Sequence, residues 1–382
     1  MTGSLIFGFL PLLIWLYLIA GRGLFWCARE RDDQIEQSPD PERWPSVTAI
    51  VPARNEADVI ARSVGSLLAQ DYPGPFRVIL VDDESDDDTA GIARPLGDDG
   101  KLTIIQSGPR PQGWTGKLWA VSRGIAHATA NDAPDLLWIT DADITHSPDN
   151  LRHLAAHAEA RELVLVSLMA KLRCESWSER FFVPAFVYFF QMLYPFAWVN
   201  DPDVKTAAAA GGCMLVRRAK LEAAGGIESI RGAIIDDCSL GRLMKDQGPI
   251  WLALTNRSVS IRPYSDMGDI RHMVARSAYA QLEYSPLLLA GTLIGLALMF
   301  LAPPIWTLFA EGTKRLVALG SWSLMALSFQ PMLRFYGRSP LWGLALPVIG
   351  LLYAAFTLDS AIQHWRGRGG MWKGRAQAGA KG

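Results

Sequence analysis

Cysteine is scarce and unpaired in this chain: Cys27, Cys174, Cys213 and Cys238 are the four among 382 residues, with no CxxC spacing. Such usage excludes a disulfide framework or a zinc knuckle and fits reduced packing thiols. A surplus of charge is missing too. The formal net charge is −1, so no global basic field points to nucleic acid. No internal repeat of the solenoid kind is present. Lysine and arginine are absent ahead of the first apolar run, and acids are absent from the final stretch RGRGGMWKGRAQAGAKG (366–382).

What is abundant is apolar sequence: half of the residues are hydrophobic, and the mean hydropathy is +0.13. Residues 4–20, SLIFGFLPLLIWLYLIA, form a run just long enough to span a bilayer, followed by Arg22, Arg29 and Arg31. Positive residues on the C-terminal side place the N-terminus outside and the next domain in the cytoplasm. A cleaved signal peptide carries its basic residues first, so residues 1–28 read as an anchor. Three more apolar stretches, 286–310, 316–333 and 341–359, predict two or three C-terminal membrane helices over 286–361. The middle one is the weakest. If all three span, the basic tail at 362–382, with Arg366, Arg368, Lys373 and Arg375, ends outside, against the positive-inside tendency.

Between these ends the pattern changes. Residues 29–45 are polar and proline-containing and read as a linker. From 46 to 285 short β-rich runs alternate with helical stripes: VTAIVPA (47–53), RVILV (77–81), LTIIQ (102–106), DLLWIT (135–140) and ELVLVSLMA (162–170) against helices over 56–69 and 117–128 and one starting near Pro148. Alternation of this kind implies a doubly wound, mostly parallel α/β sheet. Residues 181–200, FFVPAFVYFFQMLYPFAWVN, are aromatic and uncharged, with Pro184 and Pro195. They favour a segment in the headgroup layer or packed at the membrane surface over a further span.

Two of the strands end in acid. VILVDDESDDDT (78–89) and LLWITDADI (136–144) deliver carboxylates to the carboxyl edge of the sheet, where open α/β folds bind ligands. Crowded carboxylates repel, so a divalent cation and a nucleotide are natural partners. Pro52, Arg54, Asn55 and Glu56 follow the first strand and open a helix, where backbone N–H groups and side chains can hold a nucleotide. Asp82 or Asp83 can accept from a base N–H, whereas Asp86, Asp87 and Asp88 suit a helix-capping turn. Asp141 and Asp143 form a D-x-D pair that can address one hard ion, Mg²⁺ or Mn²⁺, together with a diphosphate. Lys117, at a helix start after a Gly-rich turn, is placed to hold phosphate or else is an exposed helical lysine. Asp236 and Asp237 precede a helix whose N-terminus favours an ionised carboxylate; they are a cap pair or a catalytic pair. His146, a lone histidine near a turn, is taken as structural.

Six motifs in order, VPARNE (51–56), VDDES (81–85), GWTGK (113–117), TDADI (140–144), GGCMLVRR (211–218) and IIDDCSLGR (234–242), resemble family-2 inverting glycosyltransferases. The wording of GWTGKLWA and VPARNEADVI, with the membrane ends, is most similar to the bacterial hopanoid-associated members, relatives of ceramide glucosyltransferase. The resemblance covers about residues 45–285. It implies a GT-A type nucleotide-sugar-binding sheet in a multi-pass protein of the bacterial inner membrane, with Asp83 gripping the base and Lys117 near the donor. It further implies Asp141 and Asp143 at the metal, Gly211 and Gly212 bordering the acceptor pocket, and Asp237, beside Asp236, as general base. Family members usually have Glu-Asp where Asp236 and Asp237 stand. Polymerising and ceramide-type relatives also carry a Gln/Arg-x-x-Arg-Trp element. Here RHMVARSAYAQ (271–281) keeps Arg276, a candidate for the diphosphate, but has Met273 and Ser277 at the flanking places, which argues against processive synthesis.

The expected activity is transfer of one sugar from a nucleotide diphosphate, UDP-linked by resemblance, to a membrane lipid, a hopanoid by the same resemblance. Sugar transfer to polyprenyl phosphate is a rival within the class. A sugar-1-phosphate nucleotidyltransferase is a rival outside it, though such an enzyme needs no membrane helices and begins with a Gly-rich basic loop that VPARNE is not. A non-catalytic scaffold would not require Asp143 and Asp237.

Overall fold

The computed structural model describes residues 2–34, 38–97 and 100–369, and the backbone of 371–372 and 375–376. Lys373 and residues 377–382 of the expected basic tail lie outside these. The chain divides into two compact units.

One unit joins Met1–Arg29, Cys174–Ala197 and Tyr264–Gly370. Three of its helical stretches, Pro286–Phe309, Gly312–Phe335 and Pro340–Trp365, are long and apolar enough to cross a membrane, the middle one being the least apolar. The N-terminal helix Thr2–Ala20 adds a shorter apolar element, and its buried Trp15 donates from Nε1 to the Met299 carbonyl at 2.9 Å. The aromatic segment forms the helix Trp177–Leu193, started by a reciprocal capping box between Ser176 and Glu179. Its rings pack among the apolar helices of the same unit: Phe182 against Phe356, and the Tyr188 hydroxyl 2.7 Å from that of Ser328. Glu179 is fully buried there and accepts from the Tyr264 and Ser176 backbone N–H groups. Arg276 closes the helix Met267–Ala275.

The other unit, Glu30–Arg173, Trp198–Pro263 and the residues from Met371, carries an eight-stranded sheet. Its strands are Val47–Ala53 (β1), Phe76–Asp82 (β2), Leu102–Gln106 (β3), Leu136–Ile139 (β4), Ile144–His146 (β5), Leu165–Lys171 (β6), Met214–Arg217 (β7) and Ile250–Ser260 (β8). They lie in the order β3-β2-β1-β4-β7-β6-β8-β5. The first four are mutually parallel, as is β6 with β8, while β7 runs antiparallel to β4 and β6, and β5 to β8. The mostly parallel α/β sheet expected from the alternation is therefore present. β1 is buried at every position, which is why it reads as a continuous apolar run rather than an alternating one. Helix Gly116–Asn131 begins at Thr115, whose hydroxyl accepts from the Leu118 N–H, and lies so close to the sheet that a Cβ on Gly124 would stand 2.6 Å from Ile50 Cγ2. All four cysteines are free; Cys213 takes the Trp138 indole N–H on its Sγ at 3.3 Å in the core.

Helix Asp236–Lys245 is pressed against the segment leading to Gly211: a Cβ on Gly241 would sit 2.5 Å from the Ala208 carbonyl carbon. Backbone cannot yield as a side-chain tip can. Gly241→Ala is therefore expected to push this helix outward and to cost ~1–3 kcal/mol, as overpacking typically does. A lowered thermal unfolding midpoint of the detergent-solubilised protein checks this; an unchanged midpoint would show that the helix is free to shift.

Candidate active site

The parallel strands carry their chemistry at their carboxyl ends. β1 runs into Arg54, Asn55 and Glu56, β2 into Asp82 and Asp83, and β4 into Asp141 and Asp143. Neighbouring parallel strands end on the same edge, so residues distant in sequence become neighbours.

The loops after β1 and β2 are stapled together. The Arg54 guanidinium donates to the carbonyls of Asp83 and Glu84 and pairs with Asp86 at 3.1 Å. Asn55, with a left-handed φ of 52°, accepts from the Asp86 N–H at 2.8 Å. Arg54 and Asn55 thus organise the acidic turn. Asp87 takes the N–H groups of Ala57 and Thr89, while Asp88 precedes helix Thr89–Ala93 without a side-chain capping bond, so only Asp87 of that run serves the helix start. Asp82 accepts from Gln106 at 2.8 Å and from Ser85, while Asp83 accepts from the Ser107 hydroxyl at 2.8 Å. Both aspartates are buried. Pro52 is buried within β1.

Asp141 and Asp143 sit in a turn between β4 and β5, and the turn sends their carboxylates to different cations. Asp141 meets the Lys117 ammonium at 2.7 Å, and the same ammonium meets Asp236 at 2.9 Å. Asp143 meets Arg262 Nε at 2.6 Å, and Nη2 of that arginine reaches both oxygens of Glu56 at 2.7 Å. Lys117 is therefore no free surface lysine, and its helix start is the hub of the site. Burial works against its charge, but Asp141 and Asp236 outweigh burial and raise its pKa. Arg262 is likewise held charged against burial by Asp143 and Glu56. No motif in the sequence marks Arg262. It follows β8, a strand whose polar tail TNRSVS conceals it, and no spacing rule links it to Asp143.

Gly211 lies at the centre. A Cβ there would stand 3.2 Å from Lys117 Nζ, 3.5 Å from Asp141 Oδ2 and 3.6 Å from Asp237 Oδ2. Its N–H donates to Asp237 Oδ2 at 3.1 Å, and the Cys238 N–H donates to Oδ1 at 2.7 Å. Gly212 has a different role: a Cβ there would strike Ala170 at 2.8 Å, so it serves strand packing. Burial first, then the neighbouring Asp236, pushes the Asp237 carboxyl up to about 6, against the pull of Lys117 and the two N–H groups. Burial also raises Asp141, with Asp143 and Asp236 adding to it and Lys117 opposing. His146 is buried between Thr140 and Ser258 and kept neutral by burial, with its pKa lowered to about 3, so it is structural as expected.

Glu56, Asp141, Asp143, Asp236 and Asp237 outnumber the two cations that bind them. Among the described residues no three carboxylate, imidazole or thiol groups form a ready metal cage. Two carboxylates in a site of excess negative charge nonetheless fit a hard divalent ion that takes its remaining oxygens from a diphosphate and water, the usual manner of Mg²⁺.

Known proteins were compared with this geometry in hand. The sequence model of glycosyl transferase family 2 matches residues 48–225. The 4,4'-diaponeurosporenoate glycosyltransferase of Staphylococcus aureus is 36% identical over 101 residues, 26% of this chain and 24% of that protein. The succinoglycan biosynthesis protein ExoU of Rhizobium meliloti is 35% identical over 113 residues, 28% of this chain and 29% of that protein. The matched stretch spans only about a quarter of these relatives. A solved structure of the mannosyltransferase PcManGT from Pyrobaculum calidifontis, in complex with GDP-Man and Mn²⁺, aligns with 94% of this chain and 99% of its own at a TM-score of 0.55 and 20% identity. Residues 48–225 thus match glycosyltransferase family 2, and the sheet that carries the site is of the GT-A type.

Proposed function

We propose that the chain is a membrane-bound glycosyltransferase that moves one sugar from a nucleotide diphosphate donor to a lipid acceptor with inversion. The observation that carries this reading is the Lys117 ammonium, which ties the donor-side Asp141 to Asp236 beside Gly211 and Asp237. Donor-holding and proton-accepting groups thereby share one centre.

Each residue then has a task. Asp82 and Asp83, fixed by Gln106 and Ser107, form the wall for the base and ribose, and Arg54 and Asn55 hold that wall in shape. Asp143 with Asp141 would hold a divalent ion, Mg²⁺ or Mn²⁺, supported by the Mn²⁺ in the PcManGT complex. Such an ion supplies Lewis-acid neutralisation of the leaving diphosphate. Asp237 takes the proton from the acceptor hydroxyl as its oxygen attacks the anomeric carbon, displacing the nucleotide diphosphate from the opposite face. Asp236 and Lys117 orient Asp237 and set its affinity for that proton. Gly211 leaves room for sugar and acceptor to approach. Arg276 is proposed as a further diphosphate contact. A lipid acceptor is supported by the three apolar helices and by the 4,4'-diaponeurosporenoate named for the S. aureus relative; a hopanoid acceptor rests on the motif wording. A cytoplasmic sheet unit is supported by Arg22, Arg29 and Arg31 after the first apolar helix, and a bacterial inner membrane rests on the motif resemblance.

The following outcomes are expected. Asp143→Ala should abolish Mn²⁺-dependent binding of UDP or GDP and with it sugar transfer, measured by titration in detergent; unaltered binding would remove Asp143 from the metal. Asp237→Asn should lose transfer and keep nucleotide binding, and retained turnover would reduce Asp237 to a cap. The same variant should be as stable as the parent or more so at neutral pH. The pKa of Asp237 rises from an ordinary 3.8 to about 6 on folding, so its contribution is fully present below about 4 and lost as pH rises through about 6. At pH 7 the Asn variant therefore gains ~1–3 kcal/mol by linkage. Finally, transfer by the parent should fall as pH drops through about 6. Asp236→Asn, by removing the like charge, should move that acid limb down by ~1 pH unit; an unmoved limb in the pH–rate profile would sever the coupling.

A further inference from the structure

Arg262 lies outside every motif that marks the site, yet it clasps two of the site's acids. Its guanidinium is used as a fork with two unequal ends. Nη2 holds both oxygens of Glu56 at 2.7 Å, while Nε alone holds Asp143 at 2.6 Å. Glu56 is 7% exposed and anchored on the loop after β1, with its own N–H donating to the Thr89 hydroxyl at 2.9 Å. The Glu56 end therefore secures the arginine whether or not Asp143 stays bound. The arginine side chain itself is 31% exposed, against 8% for Glu56 and 15% for Asp143, so an incoming anion can reach it.

An arginine does not lose its proton in a protein. Asp143 can be released from it only by exchange of one cation for another. A guanidinium also matches phosphate oxygens as well as it matches a carboxylate. Resting on the reading of Asp143 as a metal ligand, we propose that Arg262 is a positioning residue that neutralises Asp143 in the empty site, gives that carboxylate up to the divalent ion, and turns its freed end to the donor's diphosphate while Glu56 keeps hold of the other. No bond is made or broken in this exchange; two ion pairs replace one. Metal and donor then load together, because the ion alone must displace a resident cation, whereas ion and diphosphate together satisfy both Asp143 and Arg262.

The test uses the full chain in detergent micelles, with free Mn²⁺ followed by its electron paramagnetic resonance signal and UDP and GDP as nucleotide probes. Arg262→Gln is expected to bind Mn²⁺ alone on the order of tenfold more tightly than the parent, and UDP or GDP with Mn²⁺ on the order of tenfold more weakly, the size of a modest coupling between close charges. Arg262→Lys, which keeps the charge without the fork, should fall between the two on both readouts, and it keeps the test readable if the glutamine variant does not fold. Arg262→Gln or Arg262→Lys binding Mn²⁺ no more tightly than the parent would overturn the exchange while leaving the metal on Asp143. A parent that takes up no Mn²⁺ and binds UDP and GDP equally with and without it would overturn the metal reading itself, and the exchange with it.

Discussion

The site depends on one ammonium group. Lys117 stands between Asp141 and Asp236 at 2.7 and 2.9 Å, and these acids come from different elements, one from the end of a sheet strand and the other from the first turn of a helix. Without the cation the two would repel across a confined space of reduced dielectric. The Lys117 side chain is 15% exposed and that of Asp141 35%, so the network is only partly desolvated, and losing the cation leaves two half-buried carboxylates uncompensated. The helix starting at Thr115, the turn after β4 and the helix starting at Asp236 must all converge on this point for the network to close. That requirement explains Gly211, where any side chain would press on Lys117, Asp141 and Asp237 together, and Gly241, where any side chain would hold the Asp236 helix away.

The convergence is a property of the sheet. Parallel strands β1, β2 and β4 end on one edge, so their acids gather without any local contact in sequence. The antiparallel strand β7 has the complementary effect. It enters beside β4 from the opposite direction, and its preceding residues, Gly211 and Gly212, therefore meet the edge where β4 ends. A sheet parallel throughout would place the residues before each strand at the far edge, away from the acids. The reversal of one strand is what allows a glycine turn to become the floor of the site.

How much of this was legible follows the same physics. β1 and β2 stand out because buried strands of a parallel sheet are continuous apolar runs bounded by turns, and the half-buried edge strand β3 stands out by the short β-rich run LTIIQ. β5 and β8 did not stand out. ITH is three residues long, and β8 passes from the apolar run IWLAL into the polar TNRSVS, which hides its extent. Among the site residues, Asp82, Asp83, Asp141 and Asp143 are visible through their place after strands, and Asp236 and Asp237 through their place at a helix start. Which cation pairs with which acid was invisible. Arg262 is 119 residues from Asp143 and 206 from Glu56, and nothing local encodes such a pairing. For the same reason the D-x-D spacing suggested two carboxylates aimed at one point, whereas the turn between β4 and β5 directs them to Lys117 and Arg262. Arg54 and Asn55 show the reverse: their place after β1 suggested ligand contact, while their side chains are spent on holding the acidic turn.

Asp237 shows where a rule of local structure gives way to tertiary surroundings. A carboxylate in the first turn of a helix is favoured in its charged form, which by itself would lower its pKa. That effect is worth about 0.3–1 kcal/mol near the surface, and the N–H groups of Cys238 and Gly211 act in the same direction. Burial and the adjacent Asp236 act in the other direction and prevail, raising the group to about 6. A carboxylate of ordinary acidity holds a proton weakly, and one raised far above neutrality is already protonated. The opposing influences hold Asp237 between these limits, charged at neutral pH yet more basic than an exposed aspartate. Lys117 sets the balance, because by neutralising Asp236 it keeps the like charge from driving Asp237 higher. The lysine that joins the two sides of the site is thus also a group that favours the ionised form of Asp237.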